Sequence, residues 1–258
     1  MISWPDPGTR VTLRYRRPAG SVPPLTDAVG HLLAVEPSVR VRTKTGAVVE
    51  VAAGDVVALR VLTDAPVRTS EIRALEHAAA AAAPGAERAW LEGWLLRAGG
   101  GVDYAVPLDV SAHAGTVAAI AAWYEARGLT ARLMIPDRLL PTPAGLNAEH
   151  TERVWVRDLS AAAPPEADPE DTALARAAVT DAPDGTRWVG LTATGPADDH
   201  ATTAACEALL AWAAARGATR GYLVAPGTGS MALAEALGFR AHHRRRYFPA
   251  RSPAWDTV

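Results

Sequence analysis

The sequence predicts an α+β chain in two parts: a small all-β unit over residues 1–65, then a mixed sheet flanked by helices over 66–258. Three observations carry that reading. Short β-rich runs recur every eight to twelve residues at the start, with turn chemistry between them. Helix-forming stretches then alternate with strand-like ones. Near the end, Trp188-Val189-Gly190-Leu191-Thr192-Ala193-Thr194 is an apolar run closed by Gly195-Pro196; helix formers fill Thr202 to Arg216, and Gly221 to Ala225 is a second short run. Strand, crossover helix, strand is the unit that gives adjacent, right-handed parallel pairing.

In the first part, Arg10 to Tyr15 alternates, Val29 to Val35 returns after a Pro-rich loop, and Val39 to Thr43 alternates again. Thr45-Gly46 signals a hairpin, and Ala47 to Val51 and Val56 to Leu62 complete the set. About five strands are too few for a sandwich and suit a small barrel. Arg14, Arg16, Arg17, Arg40, Arg42 and Lys44 fall in the polar phase, which period two assigns to the solvated side of antiparallel strands. Beyond Tyr15 the aromatic interleaving of a nucleic-acid stacking platform is nearly absent.

The second part opens with a helix near Arg68 or Thr69, capped by Thr69 or Ser70, with Glu71 in its first turn and Pro84-Gly85 as its stop. Ala89 to Arg97 and Tyr104 to Leu108 read as two strands of a hairpin around Gly99-Gly100-Gly101. No phosphate-loop pattern surrounds those glycines. Ala112 to Arg127 is a helix, with Val117, Ile120, Trp123 and Tyr124 at three- and four-residue steps, and Leu129 to Ile135 a strand. Pro136 to about Pro169 is rich in Pro, Ala, Asp and Glu, with one strand at Arg153 to Arg157. Asp171 to Ala178 is a short helix or strand leading to a turn at Asp184-Gly185. After the Arg216-Gly217 helix end, Ser230 to Leu237 is a last helix, and Phe239 to Phe248 a polar strand whose His242-His243-Arg244-Arg245-Arg246 reads as alternating solvated charge.

Whole-chain properties bound the function. A formal net charge of −2 gives no bulk attraction to nucleic acid or a membrane surface. The one cysteine, Cys206, excludes an intrachain disulfide and a Cys-based zinc cluster, which fits a reducing cytoplasm; on an Ala-rich helix it reads as a buried small hydrophobe. No apolar run reaches about 18 residues, and no charged segment with an apolar stretch opens the chain. Asp198-Asp199-His200 makes a poor metal site, because adjacent side chains in an extended loop point apart and no second cluster has ligand spacing.

Residues Trp188 to Thr192, Ala208 to Ala213, Arg216-Gly217-Ala218 and Leu237-Gly238-Phe239-Arg240 resemble the second half of a GNAT N-acetyltransferase. Val29 to Leu32, Val56 to Val61 and Trp94 to Gly100 resemble a group of actinobacterial proteins in which an SH3-like barrel precedes the GNAT part, some of them N-acetylglutamate-synthase-like or histone-acetyltransferase-like. The resemblance implies an SH3-like barrel over 1–65 and a GNAT-like domain over 66–258. Within that domain, 66–160 is an incomplete first half and 170–258 the acetyl-CoA-binding half. It also implies acetyl-CoA as co-substrate and an amine acceptor, small molecule or protein.

In that family the strand backbone meets the pantetheine arm, which falls here on Leu191, Thr192, Ala193 and Thr194. A loop of pattern [Gln/Arg]-x-x-Gly-x-[Gly/Ala] wraps the pyrophosphate, and its six positions are here Ala197-Asp198-Asp199-His200-Ala201-Thr202. The remaining phosphate donors are the amides of Ala201, Thr202, Thr203 and Ala204 and the hydroxyls of Thr202 and Thr203. The same two threonines read equally well, and more simply, as ordinary helix N-cap residues in place of phosphate donors. The family's asparagine falls on Gly227 and its acid tyrosine on Ala234, so no catalytic residue is assigned. His200 has the intrinsic pKa for proton transfer. Two readings follow: an N-acetyltransferase with an atypical phosphate contact, or a silent scaffold that binds a ligand or a protein.

Overall fold

The computed structural model describes residues 4–5, 9–43, 45–62, 67–160, 173–225 and 228–257. Lys44, Gly227 and Asp171, each part of a reading above, lie outside them. The chain divides into two compact units, 1–67 and 68–258.

The first unit holds β1 (Arg10–Arg16), β2 (Leu25–Ala34), β3 (Val39–Thr43), β4 (Val48–Val51) and β5 (Val56–Val61). They form one antiparallel sheet in the order β4-β3-β2-β1-β5, a meander whose last strand returns beside the first, as a small barrel requires. Period-two alternation sends Val11, Leu13, Ala28, Leu32, Val39 and Val41 to the core. The opposite phase is solvated: Arg16, Arg17, Arg40 and Arg42 are exposed, and Arg14 pairs with Asp27 on the facing strand.

The second unit begins with α1 (Thr69–Ala82), then β6 (Glu87–Leu91), β7 (Trp94–Ala98), β8 (Tyr104–Pro107), α2 (Val117–Glu125), β9 (Arg132–Pro136) and β10 (His150–Asp158). It continues with β11 (Ala175–Asp181), β12 (Arg187–Ala193), α3 (His200–Ala215), β13 (Arg220–Ala225), α4 (Thr228–Ala236) and β14 (Arg240–Pro249). The strands make one mixed sheet in the order β11-β12-β13-β10-β14-β9-β8-β7-β6. β12 and β13 run parallel through the α3 crossover, as the sequence predicts. Helix α1 covers one part of the sheet, placing Ala74, Leu75 and Ala78 with Val154, Val156, Trp188 and Tyr222; α3 and α4 pack with Val189, Leu191, Leu223 and Phe239. Among the described residues no helix is long and apolar enough to cross a membrane.

Four expectations are corrected. Glu92 and Gly93 both take positive φ, 44° and 85°, so a two-residue turn splits the first hairpin strand into β6 and β7. Helix α1 is capped from Arg68, whose amide donates to Glu71, rather than by Thr69 or Ser70. Helix α2 starts at Val117, after a 3-10 turn at Ala114–Thr116, because the chain before it is tied to the sheet: Trp94 Nε1 donates to the His113 carbonyl. The fourth concerns β14. His243 and Arg245 are buried, 6% exposed each, so the charged run is solvated on one phase only.

Candidate active site

Parallel pairing of β12 with β13 runs from Trp188–Arg220 to Leu191–Leu223 and stops. Beyond that point Thr192 and Ala193 pair only with β11, opposite Arg176 and Ala175, while Val224 and Ala225 pair only with β10, opposite Val154 and Arg153. Each strand follows its outer neighbour, so the two diverge. One edge of each is left without a ladder, and unmade backbone hydrogen bonds are a demand that a ligand can meet.

A cavity of about 680 Å³ opens there, within the second unit. Leu191, Thr192 and Ala193 line it from β12, and Tyr222, Leu223 and Val224 from β13. Gly190 leaves room for the Tyr222 side chain: a Cβ at Gly190 would stand 2.3 Å from the Tyr222 hydroxyl. The far wall is polar. It includes Glu76 from α1, Arg97 from β7, Tyr104 from β8, Glu152 from β10 and Arg245 from β14.

Beneath that wall lies a buried charge cluster. Glu76 Oε1 accepts from His243 Nε2 at 2.6 Å and from Arg245 Nε at 2.8 Å, and Glu76 is 1% exposed. Burial alone raises the Glu76 carboxyl, but the Arg245 charge and the His243 hydrogen bond outweigh it and take the group down to about 2. His242, whose Nδ1 is 2.7 Å from that of His243, is driven down to about 3 by burial and then by the His243 and Arg240 charges. Burial pushes the Tyr222 phenol up to about 12. Tyr247 is likewise raised by burial; its hydroxyl donates to Glu152 at 2.8 Å, and its ring meets Tyr104 edge-on at 5.4 Å.

Of the sequence-predicted binding residues, Leu191, Thr192 and Ala193 line the cavity; Thr194 spends its amide on the Leu174 carbonyl and its hydroxyl on that of Ala173. At the N-terminus of α3, Asp199 is the cap and accepts from the Ala201 amide at 3.1 Å. The Thr203 amide and hydroxyl are both taken by the Asp199 carbonyl, and the Ala204 amide lies within the helix ladder. Thr202 Oγ1 is buried without a partner, against Gly195, where a Cβ would come within 2.4 Å of it. Among the described residues, the first-turn amides of His200 and Thr202 have no backbone acceptor, and since Thr202 is fully buried only that of His200 is open to a ligand. His200 is exposed and Ala234 buried, so neither brings an acid or base to the cavity wall.

Sequence reasoning missed Glu76, Arg97, Glu152, Tyr222 and Arg245. One signal was available: Ile72, Leu75, Glu76 and Ala79 share a helical face, so Glu76 is a carboxylate in an apolar stripe.

A family model described as the C-terminal part of the probable histone acetyltransferase Rv0428c matches residues 69–171 and 166–248. A second, described as the Rv0428c N-terminal Sm-like domain, matches residues 5–60. The probable histone acetyltransferase Rv0428c of Mycobacterium tuberculosis (strain ATCC 25618 / H37Rv) is 56% identical over 301 aligned residues, covering 100% of both chains. This chain belongs to the Rv0428c family. The N-terminal domain is Sm-like by that description, where the sequence resemblance pointed to an SH3-like barrel. A GCN5-related N-acetyltransferase from Kribbella flavida is similar in structure, with 12% identity, 73% of this chain and 97% of that one covered, and a TM-score of 0.47.

Proposed function

We propose that the chain is a GNAT-type N-acetyltransferase that uses acetyl-CoA as co-substrate and acetylates an amine. The observation that carries this is the divergence of β12 and β13 past Leu191 and Leu223 over a cavity of about 680 Å³. The free strand edges at Thr192, Ala193 and Val224 offer amides and carbonyls to the amide-rich pantetheine arm without needing particular side chains. Acetyl-CoA supplies an activated acyl group as a thioester. The protein positions the amine against it and shields the site from water, the usual sources of acceleration when no covalent intermediate is needed.

The residues present fit the arm better than the pyrophosphate. The amide of His200 and the positive end of α3 favour an anion, while the Asp199 carboxylate stands in the same place and opposes it. That carboxylate, together with the buried Thr202 hydroxyl, favours the second reading: a scaffold that keeps the cleft but binds a ligand or a protein without turnover. The name of the Mycobacterium tuberculosis relative supports the first.

Calorimetry with acetyl-CoA and CoA decides between them, followed by an acetyl-transfer screen over small amines and lysine-bearing proteins. Binding with turnover is expected. Binding without turnover favours the silent scaffold, and no heat at millimolar ligand overturns both the cofactor and the enzyme.

A further inference from the structure

Gly190 and Tyr222 face each other one rung before the β12–β13 ladder stops. Glycine in the middle of a strand costs backbone entropy and packs nothing, and it often marks a place where another group comes close. Here that group is the Tyr222 phenol. A Cβ at Gly190 would meet the hydroxyl at 2.3 Å and the ring carbon that bears it at 2.5 Å. The ring therefore reaches across from β13 to β12 at the narrow end of the divergence, and both residues line the cavity. Other side chains fix it in place. Trp188, 1% exposed, meets it edge-on at 6.3 Å, and Ala74, Leu75 and Ala78 of α1 belong to the same buried cluster.

The hydroxyl itself has no partner. Tyr222 is 6% exposed, yet among the described residues none hydrogen-bonds its oxygen. Buried polar groups are ordinarily satisfied, and a buried tyrosine usually sets its hydroxyl on an acceptor. The charges of Arg245, Glu76 and Arg97 act on the phenol, so it stands where the divergence meets the polar wall. A pantetheine arm laid along the free edges of Thr192, Ala193 and Val224 brings its thioester to that place.

A donor there has two targets on a thioester, the carbonyl oxygen and the sulfur. Burial pushes the phenol up to about 12, whereas a thiol ordinarily titrates at about 8.5. Handing the proton to a departing thiolate is then uphill by about a thousandfold or more. A fixed donor that keeps its proton suits the carbonyl oxygen, where negative charge develops.

Resting on the acetyltransferase reading, we propose that Tyr222 is a catalytic residue whose hydroxyl hydrogen-bonds the thioester carbonyl oxygen and holds the negative charge that develops there. The amine nitrogen bonds the carbonyl carbon, the carbonyl electron pair moves to oxygen, and Tyr222 donates to that oxygen without losing its proton. The double bond then re-forms, the carbon–sulfur bond breaks with its electron pair on sulfur, and one proton from nitrogen ends on sulfur. Tyr222 does not stand in for the acid tyrosine whose position Ala234 fills; it serves a different atom.

Tyr222→Phe removes the hydroxyl and keeps the ring, and two measurements on the full chain read the effect. In steady-state kinetics with acetyl-CoA and an amine that turns over, kcat should fall about 100- to 1,000-fold while KM for acetyl-CoA stays within about threefold. In infrared difference spectra of bound acetyl-CoA labelled with carbon-13 at the acetyl carbonyl, the carbonyl band should lie lower in the wild type than in Tyr222→Phe. A merely structural tyrosine does not move that band. Thermal stability should be unchanged, since the hydroxyl has no protein partner to lose. A kcat within about threefold of wild type, or the same carbonyl band in both proteins, overturns the proposal and leaves the transferase reading standing. A band difference without wild-type turnover keeps the contact and removes that reading; acetyl-CoA that does not bind removes both.

Discussion

Replacing Glu76 with glutamine keeps the shape and the hydrogen-bonding oxygen but removes the charge that both Arg245 and His243 share. The carboxyl is held at about 2 against an ordinary 4.5, so its charged form is favoured by about 3 kcal/mol in the folded protein. That agrees with the roughly 3–5 kcal/mol lost when one partner of a buried ion pair is removed. For a unit of this size each kcal/mol moves Tm by about 2–4 °C, so Glu76→Gln should lower the transition of the second unit by roughly 6–12 °C at pH 7. The pH dependence fixes the cause. A carboxyl whose folded pKa is depressed contributes fully above its unfolded value near 4.5 and loses that contribution as pH falls toward 2. Urea unfolding of both proteins between pH 7 and pH 3 should show a stability gap that is constant above about pH 5 and narrows below it. Equal Tm at pH 7, or a gap that does not narrow in acid, refutes the buried-pair reasoning.

Three further outcomes are expected. Asp199→Asn keeps the α3 cap, because asparagine caps as well as aspartate, and removes the charge facing a phosphate; acetyl-CoA affinity should rise about 3- to 10-fold at low salt and less at high salt, by calorimetry. Unchanged affinity would place the phosphates away from α3. Cys206 is buried and its thiol is pushed up to about 11 by burial, so a chromogenic disulfide reagent should leave the folded protein untouched at pH 8 and titrate one thiol in denaturant. Gly93→Ala meets φ of 85° and a Cβ 2.5 Å from the Ala112 amide nitrogen, and should cost at least about 1–3 kcal/mol in chemical denaturation. A neutral result would show that the β6–β7 turn can relax.

The strand-helix-strand unit was legible because its runs are short, apolar and punctuated by Gly195-Pro196 and Gly217, so period and breakers agree. The barrel strands were legible for the same reason. The Glu92-Gly93 turn was not, since Trp94 to Ala98 is buried on both faces and, Arg97 apart, apolar, so it continues the preceding run without a change of period. Nor was the strand divergence: local sequence does not say where β12 and β13 part, because β12 follows its hairpin partner β11 while β13 follows β10, which lies before both β11 and β12 in the chain. The polar wall was hidden most deeply. Arg245 looks like its exposed neighbour Arg244 until Glu76, 169 residues earlier, is brought beneath it. Period two did place His243 and Arg245 on one face. It was silent on which face is covered.

A crystal structure of the chain with CoA puts the most direct question to this reading. The pantetheine arm should lie between the unpaired edges of Thr192–Ala193 and Val224, hydrogen-bonded to backbone and ending at the wall that holds Glu152 and Arg245. CoA bound elsewhere on the surface, or β12 and β13 rejoined as a continuous ladder past Leu191 and Leu223, would contradict it.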